Sequence, residues 1–517
     1  MHIGIALLIS AHQTWGYVAQ NPPDPTCTQT TVAILGGGMA GIAAAQALNN
    51  ASITDFMILE YRNTLGGRVW HTDFGADKNG NPYVVEFGAN WVQGVGSNTT
   101  GVENPIWSLA QKYHLQNTLS DYDSIVTYDE SGATDYHGIL EAYTRAKKIA
   151  SQDAGRILTD NVQDQTARTG LAMAGWRPRM DDMKAQAVEW WNWDWEDASS
   201  PETSSFAFGM AGENLTFNQF GESNHLVVDP RGYSSIIEGE ASSLLRDNDP
   251  RLRLSTRVTD IEYSPRGVRI TNADHTCVEA AYAICTFSLG VLQNQAVQFH
   301  PSLPPWKQTS IHKFNMGTYT KLFLQFNETF WPPDTQFMLY ADPTTRGYYP
   351  VFQSLSTEGF LPGSNILFAT VVQDQAYRVE RQSTLQTKSE ILSVLRRMFP
   401  HKRVPDPLAF TYPRWTKEPW TYGSYSNWPA GTTLEMHQNL RANVHRLWFA
   451  GEATSAPYFG FLHGAWFEGR EAGEQVACLL RGRRTGCERI HYEMLHGTTP
   501  GDAYSERNGW PEVHEEL

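Results

Sequence analysis

Residues 31–41 read TVAILGGGMAG, and this stretch decides the fold. Thr31–Leu35 is a short unbroken apolar run, the pattern of a strand buried on both faces in a parallel sheet. It runs into Gly36-Gly37-Gly38-Met39-Ala40-Gly41 and then an alanine-rich stretch to Leu48 that reads as a helix. Between strand and helix, Gly36-x-Gly38-x-x-Gly41 has the form of a dinucleotide-binding turn. Gly36 permits the sharp turn, Gly38 lets a pyrophosphate approach the backbone, and Gly41 allows helix and strand to pack closely. The pyrophosphate would lie at the positive end of the helix, beside Met39 and Ala40. Thr54–Glu60 (TDFMILE) reads as the next strand and completes a βαβ unit. Its terminal acid, Glu60, stands where a carboxylate accepts hydrogen bonds from ribose hydroxyls, which favours FAD or NAD over NADP.

Beyond this unit, Thr72–Phe74 and Tyr83–Phe87 flank Asn79-Gly80 and suggest a hairpin or long β-loop. From Ile106 to about Trp195 the pattern is helical and polar, with no strand alternation. Leu226–Gly232 and Leu252–Thr271 return to short strands and turns, with a hairpin-like Ile261–Ile270 around Pro265-Arg266-Gly267. Ala281–Thr286 is a buried strand candidate, and Lys321–Phe326 and Ile366–Val372 look like strands of a second sheet. Arg446–Ala450 is a late strand, followed by a loop and a helix from about Gly464 to Leu480. At 517 residues the chain is longer than one core usually serves. The expected class is α/β plus α+β: a discontinuous nucleotide-binding domain (31–105, 222–295 and 436–482) with a substrate domain of mixed sheet and helices inserted into it (106–221 and 296–435). A tail covers 483–517.

The formal net charge of −15 argues against a nucleic-acid partner. It would attract a cationic substrate at long range, although acidic charge also serves solubility alone. Ile3–Ile9 is apolar, too short to span a bilayer and of the length of a secretory h-region, so residues 1–20 read as a signal peptide although the region before them lacks Lys and Arg. Four Asn-x-Ser/Thr sequons, at Asn50, Asn98, Asn214 and Asn327, fit a secreted glycoprotein. No later run reaches transmembrane length. Five cysteines are too few for a disulfide scaffold and include no C-x-x-C; Cys478 and Cys487 are close enough in sequence to close a short loop. No metal site is expected.

The segments beyond the βαβ unit separate FAD from NAD. Leu65-Gly66-Gly67-Arg68-Val69 and Glu86-Phe87-Gly88-Ala89-Asn90-Trp91 are joined by Asp229-Pro230-Arg231-Gly232-Tyr233, Ser288-Leu289-Gly290-Val291-Leu292, Ser426-Asn427-Trp428-Pro429 and Phe449-Ala450-Gly451-Glu452. From Thr31 to Leu480 the chain resembles the flavin monoamine oxidase family, most closely its secreted, FAD-dependent polyamine oxidase branch. The resemblance implies a Rossmann-type FAD-binding domain of the GR2/p-hydroxybenzoate hydroxylase-like kind. It places Arg68, Ala89, Asn90, Val258 and Glu452 on FAD, with Arg68 near phosphate or ring-proximal groups and the Val258 backbone at adenine. Tyr458–Ala465 opens the final helix, whose start at Phe461 and Leu462 would face the flavin pyrimidine edge; a helix N-terminus there stabilises a reduced, anionic ring. His463 reads as structural. No cysteine falls in this motif, so FAD is expected to be noncovalent.

The expected catalytic residue is Lys321, in the apolar run Tyr319-Thr320-Lys321-Leu322-Phe323-Leu324. It matches the family lysine bonded through water to flavin N5; by pattern alone a strand lysine simply faces solvent. Trp91, Tyr319, Trp415, Tyr425 and Phe461 match positions around the ring and substrate tunnel, where aromatic faces hold aliphatic chains and attract cations. Glu196 matches an acid near the tunnel. Two departures weaken the case for a long polycationic substrate: Gln93 stands where the plant enzymes carry a Glu, and Phe461 replaces a Tyr. The expected reaction is oxidation of an amine C–N bond by hydride transfer to flavin, with oxygen reduced to hydrogen peroxide. Alternatives are an oxidase of a specialised secondary-metabolite amine, an L-amino acid oxidase, an NAD-dependent dehydrogenase and a non-catalytic flavin-binding protein.

Overall fold

The computed structural model describes residues 27–96, 101–160, 162–217, 219–482, 486–495 and 497. The expected signal peptide, the Asn98 sequon, the side chain of Asn214 and most of the 483–517 tail lie outside them.

The strand of the opening motif runs Thr28–Leu35 and is followed by the helix Met39–Asn50. It pairs in parallel with Phe56–Leu59 on one side and with Cys277–Cys285 on the other. The eight-stranded sheet continues to Leu252–Arg253 at one edge, and through Val268–Asn272 and Val258–Tyr263 to Gln298–His300 at the other. Leu447–Phe449 also pairs in parallel with the end of Cys277–Cys285, opposite Ala283, Ile284 and Cys285. Strands from the start, middle and end of the sequence thus share one sheet, and Gln298–His300 carries it past residue 295, into the range expected for the substrate domain, because it pairs in parallel with Val258–Tyr263. The sheet's central residues Val32 to Leu35 and Ala283 to Ile284 are fully buried, which is why their sequences are apolar without alternation.

A seven-stranded sheet holds the second body: Ala409–Thr411, Tyr319–Gln325, Ile366–Val372, Val351–Ser354, Phe337–Tyr340, Ile125–Asp129 and Gly132–Ala133, in that order. Its last two strands correct the reading of residues 106–195 as purely helical. Ile125–Asp129 lies parallel to Phe337–Tyr340, and Asn117–Leu119 joins a third sheet beside Ser223–Val227 and Trp91–Val95. These strands are two to five residues long, so their alternation is lost among the helical pattern around them. The longer elements of that segment are helical, and His137–Thr159, Ala167–Met173 and Met183–Glu189, with Phe206–Phe217 beyond it, pack around buried Trp176, Trp190, Trp191, Trp193 and Trp195.

Two features bind the ends of the chain to the first sheet. The final helix, Leu462–Leu480, lies against Met39–Asn50 so closely that a side chain at Gly469 would place its Cβ 2.1 Å from the Ala40 carbonyl oxygen. A disulfide joins Cys27 to Cys277, fastening the starts of the two neighbouring strands, and Cys478–Cys487 closes the expected loop. The first of these pairings is across 250 residues and had no local signal. No helix among the described residues is long and apolar enough to cross a membrane.

Candidate active site

Four parallel strands end at the same edge of the first sheet, at Leu35, Leu59, Cys285 and Phe449. The loops that leave them, Gly36–Ala40, Glu60–Tyr61, Thr286–Ser288 and Gly451–Glu452, line one continuous cavity. Ligands of open α/β sheets bind outside the carboxyl ends of the strands for this reason: the chain must turn there, and its loops converge.

At the nucleotide end, the Gly36 amide donates to the Leu59 carbonyl at 2.8 Å. Glu60 is 5% exposed, and its carboxylate accepts from the Gly37 amide at 2.6 Å and the Arg62 amide at 2.7 Å. Burial raises its pKa and the two amides oppose that rise. Gly36, Gly38, Met39 and Ala40 line the cavity with Val258. Gly41 does not, which removes it from the expected cofactor contacts: a Cβ there would lie 2.0 Å from the Gly36 carbonyl oxygen, so its glycine serves helix–strand packing.

At the opposite end, Arg68 Nη1 donates to Glu452 Oε1 at 2.6 Å and to the Ser424 carbonyl at 3.0 Å. Glu452 Oε2 accepts from Ser426 Oγ at 2.6 Å and from the Gly460 amide at 2.9 Å. The Leu65–Val69 motif, the 424–426 segment and the Phe449–Glu452 motif are thus joined through one buried carboxylate. Ala89, Asn90, Trp415, Phe461 and Leu462 complete this part of the lining.

These residues fit a dinucleotide. The helices Met39–Asn50 and Leu462–Leu480 both begin at the cavity, and neither has a side-chain cap, at Gly38 or at Phe461. Uncapped first-turn amides with a positive dipole end are an anion's ligands. The indole Nε1 of Trp415, on a residue 2% exposed, also has no partner within the chain.

Between the two ends stands Lys321, 1% exposed on the strand Tyr319–Gln325. Its Nζ donates to the Gly88 carbonyl at 2.6 Å and lies 5.8 Å from the Trp91 ring. Burial lowers its pKa, and the charge of Glu86 pulls the other way. The solvent-facing alternative for this lysine is excluded. His463 does not line the cavity; it is buried, bonded to Asn104 and Thr216, and burial drives its pKa down to about 3, so it is neutral and structural.

The remaining wall is aromatic and acidic. Trp91 meets Trp195 edge-on at 5.2 Å, and Tyr319 and Tyr425 lie 6.1 Å apart. Glu196 lines the cavity, its carbonyl accepting from Tyr425 Oη at 2.7 Å and its Oε1 from Gln93 Nε2 at 3.5 Å. Burial, followed by the charge of Glu213, pushes the Glu196 carboxyl up to about 7. A π-helical turn, Trp190–Asp194, precedes it, held by Arg346 bonded to both Glu189 and Asp194. Such a turn inserts a residue into a helix and re-aims the side chains after it, a device common at functional sites.

Sequence reasoning missed Asp197, Glu213 and Lys147. Asp197 and Glu213 line the same cavity, and Lys147 Nζ pairs with Glu213 at 2.6 Å. Lys147 and Glu213 sit on different helices, 66 residues apart, so no motif could have joined them. Asp197, directly after Glu196, could have been found as the third acid of the WDWED string. Among the described residues no cluster suited to a metal ion occurs.

A parallel-sheet cradle for a dinucleotide, opening onto an aromatic and acidic pocket with a buried lysine between them, defines the site of a flavin-dependent oxidoreductase. Residues 39–477 match the flavin containing amine oxidoreductase family. The chain is 36% identical over 465 residues to polyamine oxidase 1 of Zea mays, covering 86% of this chain and 89% of the relative. It is 36% identical over 453 residues to polyamine oxidase 7 of Oryza sativa subsp. japonica, covering 85% and 93%. Among solved structures, wild-type putrescine oxidase bound to putrescine superimposes with a TM-score of 0.67 at 18% identity, over 88% of this chain and all of that one. The chain belongs to the flavin-containing amine oxidase family: it is an FAD-dependent amine oxidase, and the dehydrogenase and non-catalytic readings fall away.

Proposed function

We propose that the enzyme oxidises an amine carrying at least two ammonium groups, a diamine or polyamine. The observation that carries this reading is the charge balance of the pocket. Glu196, Asp197 and Glu213 line it, and Lys147, bonded to Glu213, is the cation paired with them. Carboxylates held away from bulk water are stable only with a counter-charge or a proton. A second ammonium on the substrate supplies the counter-charge, and Asp197 and Glu213 supply carboxylates that Gln93 does not. The names of the plant relatives, and the putrescine in the solved neighbour, agree with this class of substrate.

When bound, FAD supplies the two-electron acceptor that takes hydride from the amine α-carbon and passes the electrons to oxygen, giving hydrogen peroxide. The chain's own residues do the rest. Tyr319, Tyr425, Phe461 and Trp91 hold the aliphatic segment and fix the α-carbon's approach. The acids fix the distal end, and with it which C–N bond is presented. Lys321 Nζ, kept from its ordinary basicity by burial, holds or yields a proton beside the ring. Water then hydrolyses the released imine to an aldehyde and an amine. The burial of Cys285, the one free cysteine among the described residues, outside the cavity lining supports noncovalent attachment of FAD by removing a cysteine tether.

The test is anaerobic mixing of the yellow protein with spermine, spermidine, their acetylated forms and simple monoamines. Polyamines should bleach the flavin fastest; preference for a monoamine removes the dication reading and leaves the specialised-amine alternative. Lys321→Met should slow turnover or flavin reoxidation while FAD stays bound, and unchanged rates would take Lys321 out of the mechanism.

We further propose that the protein is secreted and glycosylated. Two disulfides suit an oxidising compartment, and the sequon residues Asn50 and Asn327 are exposed. N-terminal sequencing of protein recovered from culture medium, before and after glycosidase treatment, tests both statements.

A further inference from the structure

A buried carboxylate with no part in the reaction as derived so far lies against the face of the seven-stranded sheet that is turned from the cavity. Glu380, fully buried, stands near the end of the helix Gln373–Arg381. Ala376 and Val379 of that helix cluster with Leu322 and Leu324 of the strand Tyr319–Gln325. The strand's other face carries Tyr319 and Lys321, which line the cavity, and Phe323, which clusters with Trp415. Successive strand residues point to opposite faces, so Thr320 belongs to the helix side. Its Oγ1 donates to Glu380 Oε1 at 2.8 Å.

The chain passes between these two faces at the sheet's edge. Ala409–Thr411 is the edge strand beside Tyr319–Gln325. After it, Tyr412 packs on the helix side, and Trp415, three residues on, packs on the cavity side. Glu380 holds the crossing. Its Oε1 accepts from the Trp415 amide at 3.0 Å, and its Oε2 from the Thr416 amide at 2.9 Å and from Thr416 Oγ1. Arg414, in the same turn, donates through Nη1 to the Glu380 carbonyl and, at 3.0 Å, to the Gln382 carbonyl, closing the end of the helix. A carboxylate offers only acceptors, and all four partners of this one donate. An amide in its place would turn its own N–H groups toward donors.

What the crossing delivers to the cavity is an indole with an unspent donor. Trp415 lines the cavity, and its buried Nε1 has no partner in the chain. A buried donor left unsatisfied costs free energy that a ligand accepting from it recovers. The ring stands edge-on to Trp70 at 5.6 Å and to Trp420 at 5.8 Å, so neighbouring indoles fix its plane while Glu380 fixes its backbone. We propose that Glu380 is a positioning residue for the cofactor: by tying the backbone of Trp415 and Thr416 to Thr320, it sets where the Trp415 indole meets FAD, relative to the strand that carries Lys321. This rests on Trp415 touching the cofactor and is independent of which amine is oxidised.

The experiment records the visible absorption of bound, oxidised FAD, and the Kd of FAD for the apo-protein, in the parent, Glu380→Gln, Trp415→Phe and the double variant. Trp415→Phe removes the indole donor and should shift the flavin spectrum and weaken FAD binding about tenfold, the loss of one hydrogen bond from a buried site. Glu380→Gln should shift the spectrum in the same sense and weaken binding by about as much. Because both act at one contact, the double variant should bind little worse than the weaker single variant, whereas independent sites would multiply to about a hundredfold. A parental spectrum and Kd in Glu380→Gln overturns the proposal even where Tm falls, because a purely structural role lowers stability and leaves the bound flavin unchanged. A hundredfold loss in the double variant overturns it as well. A parental spectrum and Kd in Trp415→Phe removes the contact through which Glu380 acts and overturns it too, leaving the dication reading of the substrate untouched. Should Glu380→Gln fail to fold, Thr416→Val takes its place: it keeps the volume, removes one of the four donors and should weaken FAD binding about threefold. A parental spectrum and Kd in that variant, or an effect that multiplies fully with Trp415→Phe, overturns the proposal.

Discussion

Glu452→Ala should uncouple the FAD cradle from the protein's stability. The carboxylate serves Arg68 Nη1 at 2.6 Å, Ser426 Oγ at 2.6 Å and the Gly460 amide at 2.9 Å. Hydrogen bonds to a charged acceptor contribute about 1.5–3 kcal/mol each, and orphaned donors add their desolvation cost. These terms are not additive. Removing one partner of a buried ion pair costs about 3–5 kcal/mol. Here the Arg68 side chain is 23% exposed and keeps the Ser424 carbonyl, so water and backbone repay part of the loss. The expected destabilisation is about 3 kcal/mol for Ala, and about 1–2 kcal/mol for Gln, which keeps the volume and one acceptor oxygen. Excess FAD stabilises the folded chain by RT ln(1 + [FAD]/Kd), and that increment should shrink in Glu452→Ala because Arg68 is no longer aimed. Urea unfolding followed by tryptophan fluorescence, with and without excess FAD, reads both quantities. An Ala variant within about 1 kcal/mol of the parent, gaining as much from FAD, would refute the role assigned to this carboxylate.

Three further outcomes are expected. Gly469→Val places a branched side chain 2.1 Å from the Ala40 carbonyl oxygen and must separate two helices that both begin at the cavity, so FAD retention through gel filtration should fall along with Tm; a variant that keeps both shows the helices can yield. Cys27→Ser opens a cross-link spanning 250 residues, and the chain-entropy argument puts its contribution at up to about 5 kcal/mol, readable as a lower urea midpoint; reducing agent, which also opens Cys478–Cys487, should lower the parent's midpoint by more than the variant's. For Glu196, whose carboxyl is pushed up to about 7, ionisation is needed to hold an ammonium, so kcat/KM for a diamine should rise as pH climbs through that region. A folded pKa above the ordinary 4.5 also means that the ionised group disfavours folding above pH 4.5. Glu196→Gln should therefore flatten the pH profile while making the apo-protein more stable at pH 8, and an unchanged acid limb would exclude this group.

The cofactor half was legible in the sequence because backbone conformation encodes it. Gly36 and Gly38 stand where a chain must turn and a phosphate must approach, and each strand that precedes a binding loop is an apolar run with no alternation. Such signals are local, so the βαβ unit, the hairpin at Thr72–Phe87, Cys277–Cys285 and the final helix all appear close to their expected places. Gly41 serves the packing role that its place in the motif predicts: it lies against the Gly36 carbonyl, supporting the cradle without lining the cavity. Asn117–Leu119 and Ile125–Asp129 went unseen because they are short strands whose partners come from distant segments, the latter paired with Phe337–Tyr340 more than two hundred residues on.

The amine-binding half was less legible for a different physical reason. Whether an acid is a solvated surface charge or a substrate anchor depends on what surrounds it, and tertiary packing alone decides that. Glu196 and Asp197 lie in a string that would pass for an exposed acidic turn; the π-helical turn at Trp190–Asp194 and the Arg346 bridge to Asp194 and Glu189 carry them to the cavity instead. Glu213 arrives on another helix, already paired with Lys147. The same reasoning changes the meaning of Gln93. Judged along the chain it is a lost carboxylate, but in the folded pocket its amide donates to Glu196 at 3.5 Å and so helps hold an acid that remains. The pocket's carboxylates therefore stand on the 196–213 wall, and the proposed diamine would place its second ammonium on that side.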